Sequence, residues 1–227
     1  NESYKSLRSN LLFCGEEKKV IAVTSCTPNE GKSTVSLNLA LSLADSGKKV
    51  LMIDADLRKS VLVGRTEVDG EVKGLSHLLS HQETIENVIY STNIPRFHII
   101  YAGKVPPNPA ELLGGEYFKR VLTAVKKVYD YVIVDTPPLN LVIDGLLIAK
   151  QCDGTVLVVE SGRTDRAQAD KAKQQIQYAG IRLLGAVLNK APVYEKRYGY
   201  GYGYGYGYGY GYGYGKSTKK NGKEKKK

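Results

Sequence analysis

The segment that follows the first apolar run of the chain constrains its fold most strongly. Residues 20–24 are typical of a buried strand, and Cys-Thr-Pro-Asn-Glu-Gly-Lys-Ser follows directly at residues 26–33. This segment fits the phosphate-binding loop pattern except at its first position, where Cys26 replaces a glycine. Because a helix is predicted from Lys32 onward, backbone N–H groups, a helix N-terminus and a lysine would converge on one point. The sequence therefore predicts a site for the phosphates of a nucleoside triphosphate.

The rest of the first 190 residues alternates short β-branched runs with segments of helical periodicity. Most of the runs are apolar on both faces, as expected for parallel strands covered by helices on both sides. The predicted strands are residues 20–24, 50–53, 97–101, 131–134, 155–159 and 183–188. Two of the predicted helices are residues 32–46 and 166–178. The sequence thus predicts an α/β fold, a doubly wound and mainly parallel sheet flanked by helices, of the P-loop NTPase type.

The composition changes sharply near the C-terminus. Tyrosine and glycine alternate from Tyr198 to Gly215, and a lysine-rich segment follows. Glycine at every second position raises the entropy lost on ordering, and no aliphatic residue is present to form a core. We therefore predict two parts, a domain at residues 1–190 and a flexible, disordered tail at residues 191–227.

Charge and cysteine content restrict the possible partners. The net charge is +10, of which residues 190–227 supply +8, so the predicted domain is nearly neutral and we expect no nucleic-acid partner. No apolar run is long enough to span a bilayer, so any membrane contact is expected to come through a partner. The 3 cysteines fit a reducing compartment, which predicts a cytoplasmic protein.

Carboxylates follow two other predicted strands. Asp54 and Asp56 come after the strand at residues 50–53, and Asp135 comes after the strand at 131–134. Aspartate at a strand end is also common in turns, so one of them alone would carry little weight. Parallel strands end at the same edge of a sheet, however, and all three would lie beside Lys32. Together they predict a Mg²⁺ site next to the bound phosphates.

These motifs resemble those of the bacterial protein-tyrosine kinases of capsular and exopolysaccharide synthesis. The resemblance covers nearly all of residues 1–190. It consists of Gly-Lys-Ser-Thr at 31–34 as Walker A, Ile-Asp-Ala-Asp at 53–56 as Walker A′, Val-Asp-Thr-Pro-Pro at 134–138 as Walker B, and Pro-Pro-Asn-Pro-Ala-Glu-Leu-Leu at 106–113. Two features depart from the family pattern. The tail tyrosines alternate regularly with glycine, and Lys5 stands between Glu2 and Arg8 where the family's oligomerisation motif has arginine.

The resemblance implies an ATP- and Mg²⁺-dependent protein-tyrosine kinase that phosphorylates its own tail in a neighbouring copy and regulates polysaccharide synthesis or export. The implied catalytic residues are Lys32, Asp54, Asp56 and Asp135. The implied nucleotide-binding residues are Asn29, Glu30, Gly31, Lys32, Ser33, Thr34 and Asn189. The implied metal ligands are Ser33, Asp56 and Asp135. The phosphate acceptors are Tyr198, Tyr200, Tyr202, Tyr204, Tyr206, Tyr208, Tyr210, Tyr212 and Tyr214.

Some of these roles stay open at this point. Asp54 is the candidate base and Asp56 the candidate metal ligand, but this division follows from the resemblance and not from their spacing. Related P-loop ATPases place an asparagine against adenine at the position of Asn189. An asparagine that simply ends a strand is an equally good interpretation.

The resemblance also implies partners. We expect a transmembrane activator, or polysaccharide co-polymerase, that holds the kinase at the inner face of the cell membrane, a ring-shaped homo-oligomer, and a cognate tyrosine phosphatase. An alternative is a partition or division-site ATPase that switches without phosphorylating protein. That branch carries an extra lysine in its loop, at the position where this sequence has Thr27. A third interpretation makes the Tyr-Gly tract a cohesive structural tail.

Overall fold

In a computed structural model, residues 2–15, 17–65 and 72–192 are described, and they build one central sheet. In this part of the chain the sheet has seven strands in the order β3-β4-β2-β5-β1-β6-β7. The strands are β1 (Val20–Ser25), β2 (Val50–Asp54), β3 (Tyr90–Ser91), β4 (Phe97–Ile100), β5 (Tyr131–Asp135), β6 (Gly154–Glu160) and β7 (Leu183–Asn189). All neighbouring strands are parallel except β3, which pairs antiparallel with β4. The predicted doubly wound, mainly parallel sheet is confirmed.

Helices cover both faces of this sheet. They are α1 (Glu2–Leu12), α2 (Lys32–Asp45), α3 (Leu75–Leu79), α4 (Ile85–Val88), α5 (Pro109–Gly114), α6 (Glu116–Val128), α7 (Asp144–Ala149) and α8 (Arg166–Tyr178), with a short 3₁₀ turn at Val63–Arg65. The strands β1, β2 and β5 are buried along their whole length because helices pack on each side. Their near-continuous apolar sequences follow from this double burial.

The apolar stripe of α6 shows how a helix is attached to the sheet. Phe118, Val121, Leu122 and Val125 recur at helical spacing and are all buried. They join one core cluster with residues of β2 and β5, and a second cluster on the opposite face contains α2. Each buried side chain of this size contributes about 1.5–3 kcal/mol by leaving water. The two clusters therefore hold helices on both faces of the sheet that carries the site.

The strand order brings the ends of three strands together. Val23 of β1 lies opposite Asp135 of β5, and Asp135 lies opposite Asp54 of β2. The loop at residues 26–31 leaves the same edge from the end of β1. The predicted convergence of the loop with the carboxylates is thus a property of the sheet itself.

The predicted acceptor tyrosines all lie in the C-terminal part of the chain. The first compact unit ends at Pro192, and residues from 193 onward, with all the predicted acceptor tyrosines, lie outside the described residues. The predicted boundary at residue 190 and the predicted tail therefore stay predictions. Among the described helices none is both long enough and apolar enough to span a bilayer.

Candidate active site

The loop between β1 and α2 adopts a conformation that few residues tolerate. Asn29 has a φ of 68° and Gly31 a φ of 92°, both in the left-handed region. A Cβ atom on Gly31 would overlap the side-chain amide of Asn189. Glycine at position 31 is therefore required twice, by its backbone angle and by the close approach of Asn189.

The side chain of Glu30, one of the residues predicted to bind nucleotide, is held inside the protein. It is fully buried and accepts hydrogen bonds from the amide of Thr27, at 2.8 Å, and from the hydroxyl of Thr164. The carboxylate thus ties the loop to the segment after β6 and is absent from the lining of the cavity. Only the backbone of Glu30 is therefore available to contact a phosphate.

Lys32 lies between two carboxylates. Its ammonium is 3.2 Å from Asp56 Oδ2 and 3.5 Å from Asp135 Oδ2, and it donates to Ser33 Oγ at 3.3 Å. Burial alone would lower the pKa of Lys32, but the charges of Asp135 and Asp56 raise it. The lysine is therefore a fixed positive charge where the loop meets the two strands.

Asp54 and Asp135 are buried side by side on paired strands. Each is 1% exposed. Burial raises the pKa of Asp135, and burial together with the charge of Asp135 raises the pKa of Asp54 to about 7. Ser60 donates to Asp54 Oδ2 at 2.6 Å, the amide of Asp56 donates to its Oδ1 at 3.2 Å, and Ser36 donates to Asp135 at 3.2 Å. Two acids that are buried together resist double ionisation. Shifted pKa values of this kind are common at functional sites.

A cavity of about 380 Å³ opens above this constellation. Its size falls in the range of small-ligand sites. It is lined by Pro28, Asn29, Gly31, Lys32, Ser33, Thr34, Asp56, Arg58, Lys59, Val61, Pro137, Pro138, Leu141, Val142 and Lys190. Most of the predicted site residues therefore share one cavity. Asp54, Asp135, Glu30 and Asn189 lie behind its wall.

The donor atoms at the cavity fit a metal that is shared with a nucleotide. Ser33 offers a hydroxyl, and Asp56 and Asp135 offer carboxylates, all near Lys32. Mg²⁺ prefers oxygen ligands and is usually held by one or two carboxylates together with substrate phosphates. Within residues 2–15, 17–65 and 72–192, no group of three or more His, Cys, Asp or Glu side chains could hold a metal ion. If a metal bound here, Ser33, Asp56 and Asp135 would supply part of its coordination shell, and phosphates would complete it.

Asn189, one of the residues predicted to bind nucleotide, contacts the phosphate loop. Its side-chain Nδ2 donates to the carbonyl oxygen of Glu30 at 2.9 Å. The next residue, Lys190, donates to the carbonyl oxygen of Asn29 at 2.8 Å and pairs with Glu160 at 3.0 Å. Both residues thus contact the phosphate loop from the end of β7.

Sequence reasoning missed several residues around the cavity. Arg58 forms a two-pronged pair with Asp144, with Nε 2.7 Å from Oδ2 and Nη2 3.1 Å from Oδ1, and Asp144 is fully buried. The pair fixes the wall formed by the segment after β5. A signal for Arg58 was present, because it follows Asp56 by two positions. No local pattern indicated Ser60, Thr164 or Lys190.

Comparisons with known proteins are consistent with this site. A family model described as an AAA domain matches residues 18–162. The tyrosine-protein kinase CpsD of Streptococcus agalactiae is 46% identical over 198 residues, which cover 87% of this chain and 86% of the relative. The solved kinase domain of the Escherichia coli tyrosine kinase ETK matches with a TM-score of 0.81 at 35% identity, covering 90% of this chain and 80% of that one.

A solved protein of the alternative class is more distant. The septum site-determining protein MinD from Pyrococcus horikoshii, complexed with Mg-ADP, matches with a TM-score of 0.66 at 25% identity, covering 78% of this chain and 72% of that one. The fold is therefore shared between the two classes. The higher identity and the higher TM-score both lie with the tyrosine kinases.

Proposed function

This chain belongs to the family of bacterial tyrosine-protein kinases, and on that premise we propose that it uses ATP and Mg²⁺ to phosphorylate the tail tyrosines of a neighbouring copy. One observation carries the proposal. The Lys32 ammonium lies beside the loop at one cavity, 3.2 Å from Asp56 Oδ2 and 3.5 Å from Asp135 Oδ2. The acceptors are the tyrosines at even positions from Tyr198 to Tyr214.

Phosphoryl transfer needs positive charge close to the group that moves. Lys32 is held at the start of α2, where the helix dipole and the loop amides also favour anions. In the proposed reaction, the lysine and the amides stabilise the charge that spreads over the equatorial oxygens of the γ-phosphoryl group. When ATP binds, its phosphates compete with Asp56 and Asp135 for the ammonium.

Mg²⁺ bound here would neutralise the β- and γ-phosphate oxygens. Ser33, Asp56 and Asp135 are the residues that would hold it, directly or through water. They provide the hydroxyl and carboxylate oxygens that this ion prefers. Nucleotide and metal are thus proposed to bind as one unit in the cavity.

The acceptor phenol must lose its proton during transfer, since its ordinary pKa is about 10. We assign the base to Asp54, whose pKa of about 7 suits a proton acceptor at neutral pH. Asp54 is behind the cavity wall, but the exposed Ser60 hydroxyl donates to it. The phenol proton would pass to Ser60 Oγ while the Ser60 proton passes to Asp54 Oδ2, and the phenolate oxygen would attack phosphorus as ADP leaves. Asp56 lines the cavity and is the alternative base.

We extend the proposal to partners by the resemblance. The kinase would form a homo-oligomeric ring, dock on a transmembrane activator at the inner face of the cell membrane, and be reset by a cognate tyrosine phosphatase. Arg8 of α1 donates to the carbonyl of Ser42 at 2.5 Å, whereas Glu2 and Lys5 pair at 2.7 Å on the exposed side. The exposed pair is therefore the part of the motif left for a neighbour. The cellular role would be regulation of capsular or extracellular polysaccharide synthesis or export.

The partition-type switch is the less favoured function. Proteins of that class have an extra lysine in the phosphate-binding loop. This chain has Thr27 at that position. A switch would hydrolyse ATP and leave every tyrosine unmodified. The intact mass after incubation with Mg·ATP separates the two functions, because only a kinase adds phosphates to the chain.

The test of transfer between copies uses two full-length chains. A Lys32→Met chain supplies an inactive subunit with an intact tail. An active chain supplies catalysis, with its nine proposed acceptor tyrosines, at even positions from Tyr198 to Tyr214, replaced by phenylalanine. After mixing with Mg·ATP, phosphotyrosine is expected on the inactive chain. Its absence, with the unmixed wild type active, would contradict transfer between copies. In the matched control, the inactive chain carries both Lys32→Met and the phenylalanine replacements. It then has none of the proposed acceptor tyrosines.

A further inference from the structure

The last residue of β7 and the residue that follows it form hydrogen bonds to the phosphate loop. Asn189 Nδ2 donates to the carbonyl oxygen of Glu30 at 2.9 Å, and Lys190 Nζ donates to the carbonyl oxygen of Asn29 at 2.8 Å. Two consecutive carbonyl groups of the loop are thus fixed by two consecutive residues that lie about 160 positions later in the sequence. We call Asn189 and Lys190 the β7 brace.

Fixing these carbonyls also fixes the amides beside them. No peptide bond between described residues is cis, and in a trans peptide the C=O and N–H groups point in opposite directions. The N–H groups of Glu30 and Gly31 therefore point away from the brace. Neither of these amides donates to another described residue. Adjacent free N–H groups of this kind form an anion-binding concavity.

The loop needs such support because its backbone is strained. Asn29 has a φ of 68° and Lys190 itself a φ of 55°, both in the left-handed region that residues other than glycine adopt rarely. Free amide dipoles that point together also repel each other. Lys190 is held in turn by Glu160 at 3.0 Å, and the Glu30 side chain is tied to Thr164. Strain at a functional loop persists only where the surroundings determine its conformation.

We propose that Asn189 and Lys190 are positioning residues that set the phosphate loop in its anion-binding conformation before nucleotide arrives. The proposal rests on the proposed function only in that nucleotide binds at this loop. In this proposal, the role of Asn189 is its hydrogen bond to the loop carbonyl and not a contact with adenine. The brace acts on phosphate affinity, whereas an adenine contact acts on the base.

The first experiment separates these roles with a ligand that has no base. Full-length Asn189→Ala and Lys190→Met chains are titrated calorimetrically with Mg·ATP and with inorganic Mg·tripolyphosphate. The brace predicts that both ligands weaken by the same factor, about tenfold for each variant, as expected for the loss of one hydrogen bond to the loop. Lys190→Arg keeps a donor and should stay close to wild type. Asn93→Ala and Lys173→Met change exposed side chains away from the cavity and serve as matched controls.

Loss of ATP affinity in Asn189→Ala with unchanged tripolyphosphate affinity would overturn the brace and return Asn189 to adenine. Unchanged affinity for both ligands would also overturn it.

The second experiment separates positioning from direct contact, because Lys190 also lines the cavity. Hydrogen exchange of the peptide that spans residues 26–33 is measured without ligand. The brace predicts faster exchange in both variants than in wild type and in the two controls. If exchange is unchanged while affinity falls, Lys190 contacts phosphate directly and the positioning role is wrong. Both readouts are independent of phosphotransfer, so a chain with an intact brace and no kinase activity would contradict the proposed function alone.

Discussion

Aspartates lie at both edges of the sheet, in very different surroundings. At the amino-end edge, Asp153 accepts from the amides of Lys19, at 3.0 Å, and Val20, at 2.9 Å, and pairs with Lys126 at 2.5 Å. At the carboxyl-end edge, Asp54 and Asp135 are buried against each other. The Asp153 carboxylate fastens two strand starts. Asp54 and Asp135 lie side by side, and Asp135 is 3.5 Å from the Lys32 ammonium.

The pKa directions express the same difference. Burial acts to raise the pKa of Asp153, but hydrogen bonds from Lys126 and Val20 outweigh it and lower the pKa. Burial raises the pKa of Asp54 and Asp135, and the hydrogen bonds and the charge of Lys32 do not fully offset it. Folding therefore gains from ionised Asp153 and loses from ionised Asp54. The contrast separates an aspartate that stabilises the fold from the two buried aspartates that we propose for the reaction.

Lys32→Met tests the carboxyl-end edge with the largest expected effect. It removes the cation that stabilises the transferring phosphoryl group, so autophosphorylation should fall at least about 100-fold. Phosphotyrosine after incubation with Mg·ATP is the measurement, and a cooperative thermal transition shows that the chain still folds. Lys150→Met, an exposed lysine outside this cavity, is the control. An unchanged rate in Lys32→Met would remove Lys32 from the site.

Asp54→Asn should stabilise the protein at the same time as it slows transfer. The folded-state pKa of about 7 lies above the ordinary value of 3.8, so the carboxyl destabilises the fold progressively as pH rises from about 4 to about 7. The variant lacks this dependence and should gain on the order of 2–4 kcal/mol over wild type by pH 8. Urea unfolding across pH, without nucleotide or metal, measures it. An equal difference at pH 4 and pH 8 would contradict the buried acid.

The same variant also tests the assignment of the base. If Asp54 accepts the proton, Mg·ATP affinity should stay within a few-fold while transfer slows, and Ser60→Ala should slow transfer in the same direction. Collapse of nucleotide affinity would instead place Asp54 in the metal site. Asp56→Asn, changed in the same way, gives the comparison.

Asp153→Asn should have the opposite effect on stability. It weakens the pairing with Lys126 and the contacts to two strand amides, so we expect a loss of about 1–3 kcal/mol at pH 7. The difference should shrink as pH falls, because the wild-type carboxylate then also loses its charge. Denaturation midpoints measure the effect, and the activity of the folded fraction should be unchanged. Lower activity per folded molecule would break the separation between the two edges.

Asp130→Asn should have the smallest effect. Asp130 is exposed, and one of its oxygens accepts from the amide of Lys49 at 2.7 Å. The amide oxygen of asparagine can still accept this bond, so we expect a loss of roughly 0.5 kcal/mol or less. The denaturation midpoint again provides the measurement. A loss as large as that of Asp153→Asn would show that burial does not decide the contribution of these carboxylates.

The sheet and the central part of the site could be predicted because their signals are local. An apolar run followed by Gly31-Lys32, and aspartates directly after two other runs, describe strand ends without any knowledge of distant contacts. The short strand β3 (Tyr90–Ser91) was missed, since two residues show no alternation and their strand character comes only from pairing with β4.

The positions of Glu30 and Asn189 could not be derived in this way. Glu30 lies inside a phosphate-loop motif, yet its side chain is directed to Thr164, a residue 134 positions away. Asn189 ends a strand in sequence, and its contact with the loop depends on how β7 sits beside β6. A pattern within a few residues carries no information on such pairs. The motif therefore located the loop but not the groups that hold it.

The β7 brace also sets an order of events in biosynthesis. Asn189 and Glu30 are 159 residues apart, and Lys190 and Asn29 are 161 apart, so the loop emerges from the ribosome long before the residues that set its conformation. A nascent chain that has formed β1 and α2 would carry a loose loop with weak affinity for phosphate. ATP would then bind tightly only after the last strand joins the sheet. Because a ligand stabilises only the states that bind it, nucleotide would favour the finished domain over every shorter intermediate.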